Sequence, residues 1–121
     1  MATEASEDDL ERFLRDDDGR ALVLVQLLRF AEDGRDRYLE YSAAAQAILT
    51  RIGAQVLYAG ECTEPLVATE DRWDAVVLVR YPSRSAYLEM LRDPVYQEIA
   101  PMRRSALREA ALLPMNDWPG R

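Results

Sequence analysis

Two residue types are absent from this sequence, and their absence excludes several kinds of site. None of the 121 residues is a histidine or a lysine, so every basic side chain is an arginine. Without imidazole the chain lacks the most common general base and metal ligand, and without a lysine amine it lacks a Schiff-base nucleophile and a P-loop phosphate ligand. The sequence therefore predicts no metal site and no cofactor.

Cysteine and long apolar runs are also scarce. The single cysteine, Cys62, has no second thiol for an intrachain disulfide and no imidazole to activate it. The longest apolar runs, Ala21–Leu28 and Ala75–Val79, fall far short of the roughly 20 residues that span a bilayer. The acidic N-terminus has no apolar core of a signal peptide. We therefore expect a cytoplasmic protein that does not cross a membrane.

The charge is acidic and unevenly distributed. The formal net charge is −7, and residues 1–20 carry eight acidic against three basic side chains, which leaves the rest of the chain close to neutral. Nucleic acids and anionic membranes need a basic surface, so neither is a predicted partner. We interpret the acidic segment as a solvated face of the molecule.

The pattern of apolar residues and breakers predicts one main domain, residues 20–115, between an acidic accessory helix in residues 1–19 and a polar tail in residues 116–121. Ser6 is a suitable N-cap for the accessory helix, over Glu7–Arg15. Residues 60–72 look like the arm of a hairpin, with Leu66–Ala68 in its returning limb. The predicted strands are Arg20–Phe30, Ala54–Ala59, Trp73–Tyr81 and Ala110–Met115, and the predicted helices are Arg35–Ile52, Arg84–Leu91 and residues 94–108.

This order of elements predicts an α+β fold, the ferredoxin-like βαββαβ arrangement with a four-stranded antiparallel sheet and an extra N-terminal helix. The two most apolar strands, the first and the third, should lie side by side at the centre, and we expect them to be parallel. Helices on one face would leave the other face of the sheet bare and apolar. A second copy is the simplest cover for such a face, so we predict a homodimer through the sheet faces.

The segment from Trp73 to Arg103, with ALLPM at 111–115, resembles the DUF1330 family of the dimeric α/β barrel superfamily over about Leu22 to Met115. The resemblance implies a ferredoxin-like domain and a dimer. It implies little about chemistry, because the wider superfamily includes cofactor-free monooxygenases, lactone isomerases, polyketide cyclases and heme enzymes. Similar members often carry a histidine where this chain has Met102. The residues that carry the resemblance are Trp73-Asp74, Tyr81-Pro82-Ser83, Asp93-Pro94, Tyr96 and Arg103.

Two charged residues of the third strand are candidate catalytic groups. Arg80 interrupts an apolar strand, and it would either hold an anionic ligand or developing negative charge, or bridge to an acid such as Glu40 or Glu61. Asp74 stands at the start of the strand, where it would act as a general base if burial raised its pKa, or would bind turn amides.

Other residues are candidate ligand contacts. Gln26 is the one polar residue in the first apolar strand, and it would either orient a ligand carbonyl or be satisfied by backbone or by the dimer interface. Tyr58 and Tyr81, together with Tyr38 and Tyr41, would either line a pocket for a flat aromatic molecule or belong to the core.

Arg103 completes the predicted ligand contacts because it carries the family match. It would either reach the mouth of a cavity or pair with acids of the N-terminal helix. Two functions fit these residues: a module that binds a small anionic or aromatic metabolite in an apolar cavity, or a cofactor-independent enzyme of monooxygenase, isomerase or cyclase type. The enzyme would use a carboxylate base and arginine or tyrosine to stabilise an oxyanion. The lack of histidine favours the binding module.

Overall fold

The structure is a computed structural model that describes residues 2–67 and 70–120. Its strands and helices follow the predicted order. The elements are α1 (Glu7–Arg15), β1 (Leu22–Phe30), α2 (Gly34–Arg51), β2 (Gln55–Glu61), β3 (Ala75–Tyr81), α3 (Arg84–Arg92), α4 (Pro94–Ala106) and β4 (Leu107–Met115).

The four strands form one antiparallel sheet in the order β2-β3-β1-β4, which confirms the predicted fold class. β1 and β3 are the two central strands, as predicted, but they are antiparallel, with Leu24 opposite Val79 and Val25 opposite Leu78. The expectation that they are parallel is wrong. Each helical connection in this fold returns the chain past one intervening strand, so the parallel pairs are β1 with β2 and β3 with β4, which are not neighbours.

The connection between β2 and β3 differs from the predicted hairpin arm. β2 ends at Glu61, and the described part of this connection forms no strand, so the predicted returning limb at Leu66 is wrong. Pro65 lacks the N–H that a strand ladder requires, and Leu66 is fully exposed. Ala68, which was predicted to continue this limb, lies outside the described residues.

The core lies between one face of the sheet and the helices. Leu22, Leu24 and Leu28 of β1 and Ala75, Val79 and Tyr81 of β3 are buried on this face, because alternate residues of a strand point to the same side of the sheet. The helices α2 and α4 pack against each other and supply the other half of the core.

The opposite face of the sheet is apolar and only partly covered in the protomer. Val25, Leu27, Val76 and Leu78 lie at its centre with intermediate exposure, and Leu113 is exposed. Among the described residues, no helix is both long and apolar enough to cross a bilayer.

The accessory helix α1 lies on α3. Ser6 caps it as predicted: the Asp9 amide donates to the Ser6 hydroxyl, and the Asp9 carboxylate accepts from the Ser6 amide. The Phe13 ring meets the Tyr87 ring edge-on, with centroids 5.7 Å apart, and the Arg84 guanidinium lies 4.7 Å from the Phe13 centroid. None of the α1 side chains is buried, so this helix is attached through few contacts.

Candidate functional site

Arg103 is a charged side chain inside the core. It lies on α4, which begins after Asp93, whose carboxylate accepts hydrogen bonds from the amides of Val95 and Tyr96. The face of α4 that turns toward the sheet carries Arg103, and only 6% of its side chain is exposed. Arginine stays protonated in proteins, so its burial places a full positive charge away from water.

The partners of Arg103 are neutral. Its Nη1 donates to the backbone carbonyl of Thr3 at 2.6 Å, and its Nη2 donates to Oε1 of Gln26 at 3.4 Å. Gln26 is itself 9% exposed and projects from the centre of β1. Among the described residues, no carboxylate forms an ion pair with Arg103, and the nearby acid Glu4 pairs with Arg104 at 3.6 Å. The hydrogen bonding of Arg103 is satisfied, but its charge is not balanced.

Buried tyrosines surround the guanidinium. The hydroxyl groups of Tyr41 and Tyr96 are 2.8 Å apart and share a hydrogen bond, and the Tyr38 ring lies 5.4 Å from the Tyr41 ring. Burial raises the pKa of Tyr38 and of Tyr41. The positive charge of Arg103 acts in the opposite direction, but its effect on the two pKa values is smaller than that of burial. These phenols are therefore neutral near pH 7 and remain hydrogen-bond donors.

A cavity of about 410 Å³ opens beside Arg103. Its lining combines two arginines, two tyrosine rings and apolar side chains with one carboxylate. The lining residues are Glu4, Ala5, Tyr87, Leu91, Tyr96, Gln97, Ala100, Arg103 and Arg104.

A second cavity, of about 470 Å³, lies on the other side of the N-terminal segment. Phe13, Leu24 and Leu112 are among its apolar lining residues. Glu4, Ala5 and Tyr87 line both cavities, so the two spaces are adjacent and the chain near Glu4 forms part of the wall between them.

The structure brings two of the predicted ligand contacts together, Gln26 and Arg103. Tyr81 lies in the core instead of lining either cavity: it is 2% exposed, its hydroxyl is 3.9 Å from the sulfur of Met90, and its ring packs edge-on against Tyr87.

The remaining predicted site residues lie away from Arg103. Tyr58 and Arg80 lie on the open face of the sheet, where Tyr58 is 59% exposed and its ring covers Gly60. Asp74 is exposed, and its carboxylate accepts a hydrogen bond from the Phe30 amide at 2.8 Å. That contact corresponds to the amide-binding alternative considered for Asp74.

Sequence reasoning missed the contribution of the N-terminal segment. Thr3 offers a backbone carbonyl, which has no signature in the sequence, and Glu4 stands in a segment that composition marks only as acidic. Tyr87 was detectable only as an apolar position of its helix, and Tyr96 only as one of the residues that carry the family resemblance. The side-chain signals that did point here were the polar interruption at Gln26 and the arginine at 103.

The antiparallel sheet with helices on one face and an open apolar face on the other defines a ferredoxin-like α+β protein. Residues 21–115 match the family model described as "Domain of unknown function (DUF1330)". This chain therefore belongs to the DUF1330 family, which confirms the resemblance seen in the sequence. No curated protein matches the chain in sequence.

Solved structures agree with this fold. A protein of unknown function from Rhodopseudomonas palustris is 25% identical with a TM-score of 0.85 and covers 95% of both chains. A dimeric ferredoxin-like protein of unknown function from Jannaschia sp. CCS1 is 14% identical with a TM-score of 0.63, over 80% of this chain and 99% of that one. A putative antibiotic biosynthesis monooxygenase from Bacteroides thetaiotaomicron is 16% identical with a TM-score of 0.61, over 84% and 94%.

Proposed function

We propose that this protein binds a small metabolite carrying a carboxylate or enolate and an aromatic or apolar body, with the anionic group held by Arg103. The observation that carries the proposal is a buried guanidinium beside a cavity, to which the described part of the chain supplies no carboxylate partner. A buried charge is costly unless an opposite charge compensates it. An anionic ligand would supply that charge.

The surroundings of Arg103 suit such a ligand. A guanidinium presents a planar set of donors that matches a carboxylate in two-pronged geometry. Leu91, Ala100 and the Tyr87 ring offer apolar contact surface in the same cavity. A volume of about 410 Å³ falls in the range of pockets that enclose small molecules.

The proposal includes a homodimer that joins the open sheet faces. The apolar centre of that face supports it, because soluble monomers rarely leave such a surface in water, and a similar fold from Jannaschia is described as dimeric. Tyr58 and Arg80 lie on this face, so any ligand role for them would belong to the space between the two subunits. That space is separate from the Arg103 cavity.

A cofactor-independent enzyme is the second candidate. Tyr96 lines the Arg103 cavity, and its hydroxyl, which shares a hydrogen bond with the Tyr41 hydroxyl, would stabilise an enolate or oxyanion together with Arg103. A carboxylate base is harder to assign. Asp74 lies away from the cavity, where its carboxylate accepts a hydrogen bond from the Phe30 amide, and Glu4 is paired with Arg104. Binding without chemistry therefore stands ahead of catalysis.

The first prediction compares benzoate with its neutral analogue benzamide as probes, by isothermal titration calorimetry. Benzoate should bind the wild-type protein and benzamide should bind much more weakly, because only the carboxylate compensates Arg103. Arg103→Met keeps the volume and removes the charge, and it should weaken benzoate binding by about tenfold or more, the usual loss for a charge-assisted hydrogen-bonded pair.

Arg108→Gln is the matched control, because Arg108 is an exposed arginine on β4. It should leave benzoate affinity at the wild-type value. Equal affinity for benzoate and benzamide, or unchanged benzoate affinity in Arg103→Met, would show that Arg103 does not hold the anion. Native mass spectrometry of the protein purified from its own host would then identify any retained molecule and report the dimer.

A further inference from the structure

The N-terminal strap, residues 2–6, already occupies the position that an anionic ligand would take. It contributes the Thr3 carbonyl to the Arg103 guanidinium at 2.6 Å and the Glu4 carboxylate to Arg104 at 3.6 Å. Each group places an acceptor oxygen next to an arginine, and the two arginines are neighbours that line the same cavity. A ligand carboxylate needs these same donors.

We propose that the strap competes with the ligand for Arg103. The ligand must displace the strap before it can form all of its hydrogen bonds with the guanidinium. This inference rests on the proposed function, because it assigns the regulation of the same site. The strap substitutes a neutral carbonyl for a charged group at Arg103, so it satisfies the hydrogen bonding of the guanidinium without neutralising it. A true anion would form the stronger, charge-assisted bonds there.

The attachments of the strap are few enough for displacement. It forms neither helix nor strand, and one backbone bond joins it to the sheet, from the Ala110 amide to the Ala2 carbonyl at 3.1 Å. The Glu4–Arg104 pair is about half exposed on both sides, and such pairs hold weakly in water.

The helix that follows the strap has an equally light attachment. α1 contacts the domain through Leu10, which packs against the core, and through Phe13, whose ring touches Tyr87 and whose carbonyl accepts a hydrogen bond from Arg84 at 3.2 Å. No side chain of α1 is buried.

Displacement also changes the shape of the site. Glu4 and Ala5 of the strap line both cavities, so lifting them joins the two spaces into one cleft that runs from Arg103 past Tyr87 to Phe13 and Leu112. The ligand that opens the strap would therefore extend its apolar body into the second cavity.

The test measures benzoate affinity in full-length variants that loosen the strap. Phe13→Ala loosens the attachment of α1 without changing charge, and it should tighten benzoate binding by about threefold to tenfold, because the apparent affinity is the intrinsic affinity multiplied by the fraction of open protein. Glu4→Gln should tighten it by about twofold to fivefold, the range expected for loss of an exposed ion pair. Leu14→Ala on the same helix and Glu11→Gln, which removes the same charge from an exposed position of α1, are the matched controls and should leave the affinity unchanged.

Hydrogen exchange gives a readout that charge alone would not move. The Ala110 amide should lose protection when benzoate is added to the wild-type protein, because its acceptor is the Ala2 carbonyl of the strap. The Cys62 amide, which donates to the Asp74 carbonyl in a distant turn, should keep its protection.

The outcomes separate this inference from the proposed function. Benzoate binding with equal affinity in wild type, Phe13→Ala and Glu4→Gln, with unchanged protection at Ala110, would overturn the competitor and leave the Arg103 site standing. Weaker binding in Glu4→Gln would also overturn it, since the strap residue Glu4 would then be part of the site. An absence of benzoate binding in every form would overturn both.

Discussion

At the scale of single residues, the buried tyrosines make the protein sensitive to alkali. Burial raises the pKa of Tyr87 from 10.0 to about 12, and it raises the pKa of Tyr38, Tyr41 and Tyr81 as well. In the unfolded chain these phenols ionise near pH 10. The folded state then holds protons that the unfolded state has released, so the stability present below pH 10 is lost as pH rises through the folded pKa values.

This sensitivity gives a testable result. The free energy of unfolding by urea should be nearly constant from about pH 7 to about pH 9.5 and should fall steeply toward pH 12, with tyrosinate absorbance growing as the protein unfolds. Tyr87→Phe should reduce the slope of that fall, because the phenylalanine ring has no proton to release. A free energy of unfolding that stays level over this pH range, or an unchanged slope in Tyr87→Phe, would contradict the prediction that the buried tyrosines cause the loss of stability.

The residue scale also marks the limit of prediction for the site. Gln26 could be proposed from the sequence because it is a polar interruption of an apolar strand, and Arg103 because it carries the family match. The Thr3 carbonyl could not, because every residue has a backbone carbonyl and this one acts across a separation of 100 residues. Asp74 and Arg80 have the right chemistry for a site, but Arg80 on β3 and Asp74 just before that strand are both exposed.

At the scale of elements, the helix boundaries were the most predictable feature because their signals are local. Ser83 caps α3 by accepting from the Ala86 amide, and Asp93 caps α4, both within three residues of the signal. Proline inside a helix commonly kinks or ends it, yet α4 runs unbroken from Pro94 to Ala106 with Pro101 in its interior. The start of β4 was less predictable, because its pairing with β1 extends the strand back to Leu107 around a bulge.

The start of α2 provides a prediction at this scale. Gly34 lies so close to the end of α4 that an added β-carbon would overlap the backbone carbonyl of Ala106. Backbone cannot move aside as a flexible side chain can, so Gly34→Ala should lower the free energy of unfolding by about 2 kcal/mol or more. Gly19→Ala is the control, since its site is open and costs only about 1 kcal/mol for a left-handed backbone. Urea unfolding measures both, and a smaller loss at Gly34 than at Gly19 would refute the close contact.

At the scale of the whole molecule, the proposed homodimer depends on the open sheet face. Leu78 lies at its centre, between Val25 on β1 and Tyr58 on β2. Leu78→Asp would place a charge in the middle of an apolar interface, where it would lose its hydration without gaining a partner. We expect the wild-type protein to be a dimer by light scattering after size-exclusion chromatography, and Leu78→Asp to be a monomer.

Leu39→Asp tests whether a charge at any apolar position has this effect. Leu39 is a half-exposed leucine of α2, on the helical side of the protomer, and its variant should remain a dimer. A monomeric wild type, or a dimer that survives Leu78→Asp, would mean that the sheet face is not the interface.

The fold follows from the sequence at this scale because apolar runs of strand length select the central strands, whereas the partner of the open face has no local signal.

One bond of the structure has a consequence for solubility. β4 is an edge strand, and edge strands with free outward amides invite pairing with another chain. Pro114 has no N–H to offer at one end, and near the other end the Ala110 amide is covered by the Ala2 carbonyl. The first residues of the chain thus prevent pairing at this edge, as proline does. A molecule whose N-terminal strap is displaced would expose an unpaired strand edge to which a strand of another chain could add.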